Sequence, residues 1–134
     1  MLKSNRRKFL ATATALAAST AVNAKSMIKD DEKLIAHQVY FWLKNAGSKE
    51  DRDELIRGIK TLEKIETVKK ISIGVVAATE KRPVIDDSWS ISEHVLFNDL
   101  EGQSVYQTHP IHVAFAKNYG HLWSKVIVYD SALI

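Results

Sequence analysis

The densest proton-transfer chemistry in the chain lies in Tyr106-Gln107-Thr108-His109-Pro110-Ile111-His112, which places a phenol and two imidazoles close together. An imidazole titrates near neutral pH and a phenol donates or accepts a hydrogen bond, so the segment holds the parts of an acid and a base. Pro110 needs no N–H at a first helical position, and Thr108 or His109 can cap it. A helix is therefore expected to start here with His112 in its opening turn. On that geometry His109 and Pro110 belong to the turn, and His112 and Tyr106 are the candidate acid–base groups. The competing reading is a helix start whose histidines only pack. A further alternative is a metal site, with His109 and His112 sharing a helix face and a carboxylate added from elsewhere.

Strands must carry the other side of such a site. Residues 34–43 alternate, with His37, Val39, Phe41 and Leu43 on one face and Ala36, Gln38, Tyr40 and Trp42 on the other. Large apolar groups on both faces predict that both are covered. Residues 88–97 repeat the pattern with Trp89, Ile91, Glu93, Val95 and Phe97 on one face. Glu93 is the charge on an otherwise apolar face, and a carboxylate there must be paired, protonated or solvated by a cavity. Further strands are predicted over 68–76 and 123–129, the last with Val126 and Val128 on one face. Ser48, followed by Glu50 and Asp51, starts an amphipathic helix carrying Leu55, Ile59, Leu62 and Ile65. Asn98 or Asp99 caps a short helix through Tyr106, and Gly120 is the expected terminator of the helix from Pro110.

The N-terminus reads as an export address. Arg6-Arg7 followed by Lys8-Phe9-Leu10 resembles a twin-arginine signal, and the Ala- and Thr-rich run after it is too short and too mildly apolar to span a membrane. Small residues at Val22-Asn23-Ala24 place cleavage after Ala24. Residues 1–24 are thus expected to be a signal peptide directing the chain to the periplasm, 25–33 a flexible lead-in, and 34–134 one domain. The whole chain has 19 Lys and Arg against 16 Asp and Glu, a formal net charge of +3. Lys3, Arg6, Arg7 and Lys8 all lie in the leader, which has no acid, so removing these four leaves 15 against 16. The basic balance belongs to the leader and gives no reason to expect nucleic acid or an anionic membrane as a partner. With no cysteine, disulfides, thiol catalysis and thiolate metal sites are excluded.

The predicted order is strand, helix, strand, strand, helix pair, strand. That is a ferredoxin-like α+β sandwich: a four-stranded antiparallel sheet with helices on one face. The other face would be a large apolar surface, which a symmetric homodimer packed sheet against sheet would cover. His37-Gln38-Val39-Tyr40-Phe41, Glu93 to Phe97, the run from Tyr106 through Phe115, His121-Leu122-Trp123 and Val126 to Asp130 together resemble the stress-responsive A/B barrel (Dabb) domain family. The resemblance implies a dimeric α/β barrel with a small-molecule cavity between sheet and helices in each protomer. Some plant members of the family are polyketide cyclases in which a histidine and a tyrosine promote an aldol-type ring closure. Carried over by motif position, the resemblance implies His112 as general base and Tyr106 as hydrogen-bond donor to a carbonyl oxygen that becomes an enolate, with no metal and no organic cofactor, and His37 matches a pocket-lining position. Glu93 departs from the apolar residue expected in those cyclases and points to a smaller or more oxygenated ligand. The expected pocket is completed by Val39, Phe41, Trp123, Val126 and Val128. The alternative function is a non-catalytic ligand-binding or stress-protective dimer, the expectation if Trp89, Phe97, Phe41 and Trp123 fill the space beside His112.

Overall fold

The computed structural model describes residues 33–134, so the leader expected over 1–24 and most of the lead-in over 25–33 lie outside the described residues. In chain order the elements are β1 (Ile35–Leu43), α1 (Lys49–Thr61), β2 (Val68–Val75), β3 (Ile91–Phe97), α2 (Leu100–Thr108), α3 (Pro110–Tyr119) and β4 (Trp123–Ala132), with 3₁₀ turns at Leu62–Lys64 and Gly120–Leu122. The strands form one sheet in the order β2-β3-β1-β4, and every neighbouring pair is antiparallel. β3 lies between β1 and β2 and runs against both, so those two are parallel to each other, which is the split βαβ arrangement.

Each helix begins where a side chain satisfies a backbone N–H that has no intrahelical partner. The Ser48 hydroxyl accepts from the Asp51 N–H at 3.1 Å, and the Asp99 carboxylate accepts from the Gly102 N–H at 2.7 Å. At α3 the cap is His109, whose Nδ1 accepts from the Ile111 N–H at 3.1 Å, with Pro110 in the first turn. α1 stops at Thr61 and tightens into a 3₁₀ turn that brings Leu62 into the core, and Gly120 follows α3 in a right-handed conformation that continues into another.

Strict alternation on β1 decides where the core sits. Ile35, His37, Val39, Phe41 and Leu43 are buried toward the helices, and they meet Leu55 and Ile59 of α1 and Phe115 of α3 in a single core. The intervening residues face the uncovered side, where Tyr40 makes edge contacts with Tyr129 and Trp89, and the Lys125 ammonium sits 4.5 Å from the centre of the Trp42 ring system. Among the described residues no helix covers this face, which leaves it as the surface that the expected sheet-to-sheet homodimer would cover.

Trp89 corrects the predicted strand. The ladder begins at Ile91 rather than at residue 88, because the preceding residues turn on Asp86: its carboxylate accepts from the Ser88 N–H at 3.0 Å and its carbonyl from the Trp89 indole at 3.0 Å. Period two does not extend through a turn, and Trp89 packs on Tyr40, on the side of the sheet away from Glu93. β4 is longer than predicted, running through Ala132, which brings Asp130 opposite His37.

α1 and α3 are in close contact at Gly58, where an added Cβ would stand 2.6 Å from Cγ of Tyr119. Gly58→Ala gains about 1 kcal/mol of helix propensity but forces the two helices apart, and overpacking of this kind costs about 1–3 kcal/mol. The expected result is a lower urea midpoint with unchanged slope.

Candidate active site

The sheet and the α2–α3 elbow enclose a cavity of about 380 Å³. Its lining includes every residue that the sequence assigns to a site: His112, Tyr106, His37, Val39, Phe41, Glu93, Trp123, Val126 and Val128. Gln107, Phe115, Ala116 and Asp130 complete it. The sheet register grades the cavity along β1. His37 pairs with Asp130 at one end, Val39 with Glu93 and Val128 in the middle, and Phe41 with Val126 at the other end. The Phe41 end is aromatic, with ring centres of Phe41 and Trp123 5.1 Å apart and Phe115 stacked on Trp123 at 5.6 Å. Phe41 and Trp123 therefore form a wall and leave space beside His112. Val128 is 45% exposed and Val126 37%, so the cavity opens beside the edge strand β4.

Glu93 is 1% exposed, and the Tyr106 hydroxyl donates to its Oε1 at 2.6 Å. Burial pushes the Glu93 carboxyl up to about 7, with the hydrogen bond from Tyr106 pulling the other way. The Tyr106 phenol is pushed far above its usual range by burial first and then by the neighbouring carboxylate, so it stays protonated. Its ring is fixed edge-on to Phe97 at 5.0 Å and to His37 at 5.6 Å.

His112 is half-buried at the start of α3, with its ring centre 4.7 Å from that of Tyr106. Burial lowers its pKa, the proximity of His37 lowers it further, and a hydrogen bond to the Gln107 backbone acts in the opposite sense. An imidazole so placed is neutral, and able to take a proton, down to a lower pH than a free histidine.

His37 is buried, with its Nδ1 2.6 Å from Oδ1 of Asp130 and 3.3 Å from Nε2 of Gln103. A carboxylate only accepts, so the short contact requires the proton on Nδ1. A neutral His37 then keeps its lone pair on Nε2. Asp130 and Gln103 were not singled out from sequence. Asp130 lies two residues beyond Val128 on the same strand face, and Gln103 lies one helical turn before Tyr106, so both were within reach of the periodicity rules.

His109 stands outside the cavity lining. Its Nδ1 caps α3 and its Nε2 lies 3.1 Å from Oε2 of Glu66, so neither ring nitrogen is free for a metal with His112. Among the described residues no group of three His, Cys, Asp or Glu is placed to hold a metal ion. His109→Ala is expected to lower stability by about 0.5–2 kcal/mol, the usual cost of losing an N-cap. Urea denaturation would show the loss, and the cavity lining, which His109 does not enter, should keep its shape.

The strand order β2-β3-β1-β4, with all three helices packed on one face, defines a ferredoxin-like α+β domain. The chain belongs to the stress responsive A/B barrel domain (Dabb) family, whose model matches residues 35–133. A Dabb family protein from Mesorhizobium loti with a ferredoxin-like fold is 24% identical, with a TM-score of 0.63 over 76% of this chain and 98% of its own. A dimeric ferredoxin-like protein from Thermobifida fusca is 16% identical, with a TM-score of 0.63 over 79% of this chain and 96% of its own. The hydroxynitrile lyase of Passiflora edulis is 20% identical, with a TM-score of 0.64 over 77% and 95%. At these identities the likenesses speak for the fold. Among curated proteins none matches the chain. Among the described residues no helix is long and apolar enough to cross a membrane.

Proposed function

We propose that this chain is an exported Dabb protein that works as a homodimer and uses its cavity for acid–base chemistry, of cyclase or lyase type, on a small molecule, without metal or organic cofactor. The observation that carries this reading is the convergence of His112, Tyr106, Glu93 and His37 on one cavity whose far end is aromatic. In this reading His112 takes a proton from carbon, and the Tyr106 corner holds the oxygen on which negative charge develops. Phe41, Phe115 and Trp123 hold the apolar body of the ligand. That a protein of the same fold is a hydroxynitrile lyase fits such chemistry, and its 20% identity leaves the substrate here open.

The dimer is supported by the uncovered sheet face with Tyr40, Trp42, Ile127 and Tyr129, and by the dimeric description of the Thermobifida relative. Export is supported by Arg6-Arg7 and the run after them.

Neutral ketones, aldehydes and hydroxynitriles should be screened as substrates with the wild type, His112→Ala and Tyr106→Phe. Turnover that is equal in all three would dispose of the assigned roles. Sedimentation at micromolar concentration should give twice the chain mass, and a monomer would contradict the homodimer. Replacing Arg6 and Arg7 with lysine should hold the protein in the cytoplasm.

A further inference from the structure

The hydroxyl of Tyr106 has one proton, and the 2.6 Å contact with Glu93 determines where that proton points. When Glu93 is ionised it only accepts, so the phenol proton is committed to it and none is left for a ligand. When Glu93 is protonated its own O–H can donate to the phenol oxygen, and the Tyr106 proton is free to turn into the cavity. Tyr106 is the only hydrogen-bond partner of the Glu93 carboxyl among the described residues, so nothing else there absorbs the change.

We propose that Glu93 is a positioning residue that acts through Tyr106: in its neutral form it turns the phenol proton toward the cavity and so selects a neutral carbonyl compound, held by its oxygen, as the ligand. Carboxylates are disfavoured by the same lining, which includes Glu93 and Asp130 and neither Lys nor Arg. The proposal rests on the cavity being a ligand site. It also avoids a tyrosinate. As His112 takes a proton from the carbon next to the carbonyl, the C–H electron pair becomes the new C=C bond and the carbonyl π pair moves to the oxygen, which is protonated to give an enol. Tyr106 gives its proton to that oxygen and takes the proton of Glu93. The ledger ends with protonated His112, ionised Glu93 and an intact phenol.

The polar and titratable groups that share the cavity lining with Glu93 are Tyr106 and Gln107 from α2, His112 from α3, His37 from β1 and Asp130 from β4; its β2 neighbour, Ile73, is apolar. Burial holds the carboxyl at about 7, so the change falls within an accessible range. The lining also holds the imidazoles of His112 and His37, and the test must separate them from Glu93.

Acetophenone serves as the probe, with its affinity measured by calorimetry and its bound carbonyl stretch by infrared difference spectroscopy. For wild-type protein the affinity should be about fivefold to tenfold weaker at about pH 8.5 than at about pH 5.5, the worth of one neutral hydrogen bond. The bound carbonyl band should lose its shift to lower wavenumber over the same range. Glu93→Gln should bind with one affinity across the range, and Tyr106→Phe should bind weakly throughout with no shifted band. Wild-type affinity and band independent of pH would overturn the role of Glu93 while leaving the cavity a ligand site. A pH dependence as large in Glu93→Gln as in the wild type would assign it to the histidines and overturn that role as well. No binding at either pH would overturn the ligand-site reading too.

Discussion

Glu93→Gln should make the domain more stable than the wild type at about pH 8 and remove a downward slope from its stability profile. The folded-state pKa of Glu93 is raised from 4.5 to about 7. Between those values the folded chain keeps a proton that the unfolded chain has lost, so wild-type stability falls as pH rises through that window and is level above it. Carrying the shift through gives about 3 kcal/mol lost across the window, which Glu93→Gln does not lose. Glutamine has the same shape, and its amide can keep a hydrogen bond with Tyr106, so packing is preserved. His112 contributes a slope of the opposite sign, because its lowered pKa favours the neutral ring in the fold and stability is lost as pH falls below 6.5. Subtracting the Glu93→Gln profile from the wild type cancels that contribution. Urea midpoints measured from about pH 4 to pH 9 give the difference, expected at roughly 1–3 M on the alkaline side. Coincident profiles would mean that Glu93 is not held in a charge-averse environment.

His112→Ala is expected to reduce proton abstraction from a bound carbonyl compound by about 100-fold to 10,000-fold, the usual worth of a positioned general base. His112 has the position for this role, half-buried on the cavity wall beside Tyr106. Its lowered pKa keeps it neutral into mildly acidic solution. Two effects then oppose each other along the pH axis. The base requires His112 to be neutral and the rate rises with pH, whereas the Tyr106 donor requires Glu93 to be neutral and the rate falls above about 7. A bell-shaped dependence of kcat/KM is the expected signature, with the alkaline limb missing in Glu93→Gln.

How much of this was legible in the sequence depends on whether a feature is local or tertiary. β1 was readable because five alternate side chains from Ile35 to Leu43 follow period two without interruption. The same rule isolated Glu93 as the charged exception on β3, and the turn chemistry of Pro110 separated His109 from His112. Where the rule was carried beyond its range, at Trp89, the Asp86 turn had already ended the ladder. Where it was stopped short, at Tyr129, Asp130 was missed as the partner of His37. The bond from Tyr106 to Glu93 joins a helix to a strand, and no spacing rule reports such a distance. Sequence placed both residues in one site but gave no sign that the Tyr106 hydroxyl and the Glu93 carboxyl lie 2.6 Å apart.

The reading of the cavity as an acid–base site is tested most directly by deuterium incorporation at the methyl carbon of acetophenone in D2O, followed by proton NMR near neutral pH. Wild-type protein should accelerate exchange above the buffer rate, and His112→Ala should bring it down by about 100-fold or more, toward that rate. Exchange that is the same with wild type, with His112→Ala and with buffer alone would contradict a catalytic role for the site.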